Sequence, residues 1–229
     1  MSYDAKKAWE KIYLSANEMS YPAEYLIRIF KGKYPLLDFD KSQYKDQKVL
    51  DLGCGKGKNL PFLKKCGFDV YGVEITEEIA KKVKSDLNQL GLENIDVRAG
   101  MNDSIPFENN FFDYLVSWNS CYYMQESTNF GQHIKEFNRV LKKGRHLILS
   151  IPKKTCFIYH GSEELKKGYQ IIRNDPFNAR NGAIMRMFEN KQEIEDVFSK
   201  YFSDFAFASV QDDCFGYDYH WHLVVCKKI

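Results

Sequence analysis

Gly53, Gly55 and Gly57 stand at alternate positions in KVLDLGCGKGKNL (48–60), just after Asp51 and an apolar run. Glycine there permits a tight turn and brings main-chain groups close to a ligand. A phosphate cradle of the GxxxxGK[ST] type is absent. A dinucleotide fingerprint GxGxxG fails as well, because Lys58 holds its third position and Gly57 comes one residue early. What remains is D-x-G-x-G-x-G. A second group of chemically able residues lies in RNDPFNARNGAIMRMFEN (173–190), where Arg173, Arg180 and Arg186 sit among asparagines. Guanidinium groups grip phosphate or carboxylate through paired bonds, with solvated surface charge as the plain alternative. The run YHWH (219–222) sets His220 and His222 on one strand face and Trp221 on the other. With no third ligand in view, no metal site is expected. His160 is a further candidate base.

The elements that must position these groups alternate between strand and helix. Lys48 to Gly53 reads as a buried strand, Asn59 to Lys65 as a short helix, and DVYGVE (69–74) as a second strand ending in Glu74. Thr76 caps a helix that buries Ile79, Val83, Leu87 and Leu90 at helical spacing and stops at Gly91. Two further strands are NIDVRAG (94–100) and the nearly all-apolar FFDYLVSW (111–118). Phe130, Ile134, Phe137, Val140 and Leu141 mark an amphipathic helix closed by Gly144, and RHLILSIP (145–152) is a fifth strand. Residues 153–190 break the rhythm and show no long period. Asn190 with Glu193 forms a capping box for a helix burying Ile194, Val197, Phe198, Tyr201 and Phe202. Two final strands follow near 204–210 and 219–228, joined too briefly for a helical crossover and therefore antiparallel. The expected fold is α/β, a doubly wound, seven-stranded, mostly parallel sheet with an antiparallel last strand. Such sheets bind ligands at the carboxyl ends of their strands, near the point where strand order reverses.

Composition sets limits. The 229 residues suit one α/β domain, and a net charge of +2 gives no polyelectrolyte signal for nucleic acid or an anionic membrane. The first residues, MSYDAKKAWEKIYL, lack the apolar core of a signal peptide, and no apolar run approaches membrane-spanning length. The six cysteines (54, 66, 121, 156, 214 and 226) form no CxxC pair, which suits a thiol-reduced cytoplasmic protein.

VLDLGCGKG (49–57) resembles the first motif of the class I S-adenosylmethionine-dependent methyltransferases, and three further stretches follow in that family's order. Glu74 in YGVE is similar to the acidic residue that grips both ribose hydroxyls, where one carboxylate supplies acceptors for two donors. GMNDSIPFENNFFDYLVS (100–117) is similar to the family's G-D-x-x-x-L-P-F stretch, with Met101 at the usual aspartate. EFNRVLKKGRHLILS (136–150) is similar to E-x-x-R-V-L-K-P-G-G, with Lys143 and Arg145 replacing the proline and second glycine. The resemblance covers residues 46–152 closely and implies a Rossmann-like domain over 46–229, a helical lid over 1–45 and an insertion, 153–190, forming part of the substrate site. It implies S-adenosylmethionine as cofactor and S-adenosylhomocysteine as product. The implied cofactor residues are Tyr13 and Tyr21 from the lid, Asp51, Gly53, Cys54, Gly55 and Asn59 from the first motif, Glu74 and Ile75 from the second, Met101, Asn102 and Asp103 at adenine, and Asn119 beside Trp118.

Methyl transfer from a sulfonium is a one-step in-line displacement, so positioning dominates, and a hydroxyl nucleophile also gains from a base whereas a phosphate or carboxylate oxygen needs none. Tyr123, His160 and His220 are the candidate catalytic residues; Tyr122, Arg180 and Arg186 are the candidate substrate contacts. Loop packing is the plain alternative for the two tyrosines, and ordinary helix packing for Tyr13 and Tyr21. CFIYHGSEELKKG, RNDPFNARNG and DDCFGYDYHWHLVVC are similar to small bacterial methyltransferases linked to capsule or surface-glycan modification, whose suspected acceptors include phosphoramidate groups and sugars. The expectation is O-methylation of a polar or anionic small molecule by a monomer or homodimer, without nucleic acid, membrane or metal. The alternatives are an RNA or protein methyltransferase, a non-catalytic S-adenosylmethionine binder, and an NAD-dependent oxidoreductase disfavoured by the glycine spacing.

Overall fold

A computed structural model describes residues 3–15, 21–37 and 39–229. Its centre is a run of parallel strands: β1 (Lys48–Leu52), β2 (Asp69–Glu74), β3 (Asp96–Ala99), β4 (Phe112–Trp118) and, numbered to leave room for the short β5 (Tyr123–Met124), β6 (Leu141–Pro152). The long final strands are β10 (Phe202–Cys214) and β11 (Tyr217–Lys228). The sheet order is β10-β11-β6-β4-β1-β2-β3. β11 runs antiparallel to both β6 and β10, and every other pairing is parallel. From β1 the chain winds outward through β2 and β3, then returns to the other side of β1 as β4, so the order reverses between β1 and β4. This is the doubly wound, seven-stranded sheet expected from the sequence.

Helices cover both faces because the central strands are apolar on both. On one face α2 (Glu24–Lys31), α3 (Leu60–Lys65) and α4 (Glu77–Gln89) bury Phe30, Leu63, Ile79 and Val83 against Val49, Val70 and Val116. On the other, α5 (Phe130–Val140) and α6 (Lys191–Phe198) bury Phe137 and Phe198 against Leu115, Leu149 and Val224. Thr76 caps α4 as expected, accepting from Ile79 N. Asn190 caps α6 by accepting from Glu193 N, but the Glu193 carboxylate turns to Glu189 N and Arg186 and leaves the reciprocal half of the box unmade. The expected helix boundary at Gly144 falls earlier: α5 ends at Val140 and β6 begins at Leu141.

Residues 1–45 divide. α1 (Ala5–Tyr13), capped by Asp4, buries none of its residues in the core, whereas α2 fills it with Leu26, Ile29 and Phe30. The stretch 153–190, aperiodic in sequence, contains a 3₁₀ turn (Phe157–Tyr159) and three short strands, β7 (Glu163–Lys166), β8 (Tyr169–Ile171) and β9 (Ile184–Arg186). With β5 they make a second, antiparallel sheet of order β5-β9-β8-β7. Strands of two to four residues are too short to print a period of two.

Gly57 shows what the glycine turn demands of packing. Its φ is +75°, and a Cβ there would lie 2.8 Å from Val83 Cγ1 of α4. Gly57→Ala is expected to destabilise the fold by about 1–3 kcal/mol in denaturant unfolding. Val83→Ala in the same chain should recover only part of that, since the left-handed backbone strain remains; full recovery would show that packing alone requires the glycine.

Candidate active site

A cavity of about 500 Å³ opens at the carboxyl ends of β1, β2 and β4, where the strand order reverses. Its floor is the turn after β1. Gly53 and Cys54 both donate to Val73 O, at 2.9 and 3.1 Å, and this holds the turn over β2. Gly53 (φ +73°) and Gly55 (φ +61°) are glycine for steric reasons as well as conformational ones. A Cβ on Gly53 would lie 2.5 Å from Ser120 Cβ, and one on Gly55 would lie 3.3 Å from the Tyr13 ring. Ser120 is itself pinned, its Oγ donating to Leu52 O and sharing a bond with Ser117.

Two carboxylates sit at this floor. Glu74, at the end of β2, is buried and lines the cavity; its Oε1 accepts from Gly55 N at 2.7 Å and its Oε2 from Ile75 N at 2.8 Å. Asp51 is fully buried behind the turn and is not part of the lining. Asn59 Nδ2 donates to its Oδ2 at 3.2 Å, while its Oδ1 has no hydrogen-bond partner among the described residues. Burial pushes both carboxyls up to about 7; Asn59 opposes this at Asp51, and the two backbone N–H groups oppose it at Glu74. Asn59 also accepts from Ala23 N at 3.0 Å, tying the start of α2 to the motif.

One end of the cavity holds Ile75, Met101, Asn102 and Asp103. Asn102 donates to Ser120 O at 2.9 Å, Gln125 reaches the Met101 sulfur, and Asp103 Oδ1 is buried without a partner among the described residues. His133 of α5 also lines the cavity, with Nδ1 3.0 Å from Cys121 O, and burial lowers its pKa. Asn119 (φ +57°) is fixed by Ser150, which donates to its Oδ1 and accepts from its N.

The other end is roofed by α1 and walled by the insertion. Tyr13 covers Gly55; Trp9 stacks on Tyr13 at 5.3 Å and meets Tyr123 edge-on at 5.4 Å. Arg180 Nε donates to the Tyr123 hydroxyl at 3.0 Å, and Arg180 Nη1 pairs with buried Asp175 at 2.7 Å. Burial opposes the Arg180 charge, and Tyr123, Tyr122 and Asp175 more than restore it. Tyr122, Trp118, Tyr3 and Trp221 complete this end.

Four expected site residues lie elsewhere. Tyr21 is 67% exposed and outside the lining. His160 is exposed on the loop after β6, 3.5 Å from Asp218, because the 3₁₀ turn carries it outward. His220 faces away from the cavity side held by Trp221 and shares a bond with Thr155 Oγ1 at 2.9 Å. Arg186 is buried as a structural cation: it donates to Gly168 O and Met187 O, pairs with Glu193, and lies over the Phe188 ring. Arg173 likewise pairs with Glu163 at the surface. Among the described residues no group of three or more His, Cys, Asp or Glu is placed to hold a metal. Nothing in the sequence marked Ser120, His133 or Trp221 for the cavity, or Asp175 as the buried partner of Arg180; each arrives through tertiary packing, although the alternation of YHWH does separate Trp221 from its histidines.

Known proteins resemble this chain in sequence and in fold. Residues 49–144 match a family model described as a methyltransferase domain. The match spans less than half of the chain. It is 26% identical over 203 residues to the uncharacterized methyltransferase YbaJ of Bacillus subtilis (strain 168), covering 82% of this chain and 78% of that one. It is 28% identical over 109 residues to the uncharacterized methyltransferase YcgJ of the same organism, a match spanning 45% of this chain and only 40% of that protein. The fold is similar to the crystal structure of a SAM-dependent methyltransferase from Methanosarcina mazei, with TM-score 0.65 and 21% identity over 86% of this chain and 98% of that one. It is also similar to the [4+2]-cyclase SpnF, with TM-score 0.65 and 14% identity over 97% and 94% of the two chains. Together the matched domain and the two curated relatives support a methyltransferase activity, and the solved structures show the fold.

The methyltransferase's raised carboxyls give a signed pH dependence. Glu74 keeps its proton to about pH 7 when folded and loses it near pH 4 when unfolded. The folded chain therefore binds more protons across that window, and stability falls as pH rises through it. Relative to Glu74→Gln, the ligand-free wild type should lose on the order of 2–3 kcal/mol between about pH 4 and 7. Parallel unfolding free energies for the two proteins would contradict a raised carboxyl.

Proposed function

We propose that this methyltransferase transfers the S-adenosylmethionine methyl group to an oxygen of a polar or anionic small molecule held against Arg180 and Tyr123. The observation that carries the reading is the Arg180–Tyr123 pair, met edge-on by Trp9 and lining the same cavity as the glycine turn.

The residues at the other end suit the cofactor. Glu74 accepts one backbone N–H on each oxygen, which leaves a lone pair on each for the two hydroxyls of a ribose. The unfilled Asp51 Oδ1 beneath the turn is an acceptor for an ammonium group or a water held by it. Gly53, Cys54 and Gly55 present bare main chain to the amino-acid tail, with Asn59 supporting Asp51 and Asn119 bordering the methyl. Ile75 and Met101 would sandwich adenine, Asn102 and Asp103 would meet its edge, and Tyr13 would close over the ligand. When bound, the cofactor supplies an electrophilic methyl on a sulfonium. The chain's own part is to orient the acceptor, exclude water through Trp9, Tyr13 and Trp221, and offer aromatic faces to positive charge.

Anionic intermediates of surface-polysaccharide assembly, phosphoramidates among them, and sugars are the acceptors to assay first, given the resemblance of the segments near 156–168, 173–182 and 212–226. No helix among the described residues is long and apolar enough to cross a membrane. All six cysteines are free thiols, which suits the reducing compartment, the cytoplasm, that we assign to it.

S-Adenosylhomocysteine should raise the melting temperature of the protein while NAD leaves it unchanged, since only a ligand bound by the folded chain stabilises it. Glu74→Ala should weaken S-adenosylhomocysteine binding on the order of a hundredfold in calorimetry, because two charge-assisted hydrogen bonds go with the carboxylate. Unchanged affinity would overturn the ribose assignment. Transfer of isotope-labelled methyl to anionic acceptors over neutral ones tests the function itself; equal labelling of both would refute it.

A further inference from the structure

We propose that the methylated atom is an oxygen of a monoanionic oxyacid group that arrives already deprotonated, and that Tyr123 serves it as a hydrogen-bond donor and not as a base. This rests on the reading that Arg180 faces the acceptor, and it goes further by naming the atom that reacts.

The corner is built of donors. The Tyr123 oxygen accepts from Arg180 Nε at 3.0 Å, and a guanidinium has no acceptor to take the phenolic proton in return. That proton is therefore available to an acceptor in the cavity that Tyr123 lines. Burial raises the Tyr123 pKa and the Arg180 charge offsets this only in part, so the phenol keeps its proton at neutral pH. Asp175 offers no base in its place. Its Oδ1 takes Arg180 Nη1, and its Oδ2 takes the N–H groups of Ala179 and Arg180 at 2.8 and 2.9 Å.

The titratable groups facing Tyr123 are Arg180 and Asp175 of the insertion, Tyr3 and Tyr13 at the amino-terminal side, Tyr122 beside it and Tyr159 of the 3₁₀ turn. All are cationic, protonated or fully bonded. The remaining candidate bases of the cavity stand apart from this corner. Glu74 is bonded at the glycine turn, and His133 has Asp103 and Cys121 O as its polar neighbours. Arg180 Nη2 makes no hydrogen bond among the described residues, and with the Tyr123 proton it forms a two-donor fork suited to one oxyanion.

Charge selects a monoanion. Arg180 and Asp175 cancel, so one negative charge on the acceptor balances the cofactor's sulfonium, whereas a dianion would leave an unpaired charge in a buried site. In the reaction the oxyanion oxygen bonds to the methyl carbon as the carbon–sulfur bond breaks, and that bond's electron pair goes to sulfur. The negative and positive charges disappear together and no proton is released. A hydroxyl or amine acceptor would release one proton per methyl.

The test uses the full chain saturated with S-adenosylhomocysteine and titrated in a calorimeter with benzoate, phenyl phosphoramidate and the neutral benzyl alcohol. The two anions should bind at least about tenfold more tightly than the alcohol, and the better of the two identifies carboxylate or phosphoryl oxygen as the source. Arg180→Gln should abolish that preference. Because it leaves Asp175 unpaired, the double variant Arg180→Gln with Asp175→Asn is run beside it, with melting curves for both. Tyr123→Phe should weaken anion binding several-fold and, at saturating cofactor, leave the pH profile of transfer the same as that of the wild type. With cofactor labelled by ¹³C at the methyl, the label should appear on the anionic oxygen, and a weakly buffered indicator should register no proton per methyl. Label on a neutral hydroxyl or amine, with one proton released, overturns the proposal while leaving Arg180 as an anchor. Equal binding of benzoate and benzyl alcohol removes the anionic-acceptor reading itself.

Discussion

Two carboxylates buried at the tips of adjacent parallel strands set the terms for the rest of this molecule. Water stabilises a carboxylate far better than a packed interior does, so Asp51 and Glu74 are costly to ionise where the fold puts them. The chain supplies part of what solvent would have given: two backbone N–H groups at Glu74, one amide at Asp51. It stops short of full satisfaction, and Asp51 Oδ1 is left without a partner among the described residues. An acceptor held in that condition lowers the stability of the empty fold, and a ligand carrying donors restores what is missing.

Holding that arrangement requires the glycines, for a reason more local than ligand approach alone. Gly53 makes room for Ser120, Gly55 for Tyr13, and Gly57 for Val83. The turn is thus clamped from the β4 side, from α1 and from α4, and Asn59 reaches from it to Ala23 at the start of α2. A loop so surrounded cannot relax to shield its carboxylates differently. Rigidity here is a packing result, and preorganisation of the binding groups follows from it.

The sheet and the motif half of the site were legible because each rested on a strong local signal. Strands of five to seven apolar residues between glycine and capping residues can hardly be read otherwise, and the resemblance of the stretches around Asp51 and Glu74 to methyltransferase motifs singled out both carboxylates. The acceptor half was legible only in pieces. Arg180 and Arg186 look alike in sequence, yet one faces a cavity and the other lies beneath Phe188 and pairs with Glu193. Their separation by six residues spans a turn and the start of β9, and no periodicity carries through such a stretch. His160 and His220 drew attention as isolated imidazoles, while His133, hidden in an ordinary amphipathic helix, is the one that reaches the cavity. Helical spacing announced it as core, and core it largely is.

The boundary between the legible and illegible halves coincides with a division of labour. The family model ends at residue 144, whereas Tyr3, Trp9, Arg180, Asp175 and Trp221 all lie outside the matched range. The matched region holds the glycine turn and both carboxylates on a fold that also underlies a cyclase, so the fold leaves the reaction open. What narrows it is the corner that α1 and the insertion add. That corner is contributed by segments distant in sequence from the glycine turn. In this chain the added segments bring a guanidinium whose counter-ion is already buried beside it, fixed by Asp175 and turned toward Tyr123. An arginine held by a buried aspartate keeps its charge and its orientation through each cycle of binding and release. A freely solvated one would have to be ordered each time, at a cost in side-chain entropy that the fold has here already met.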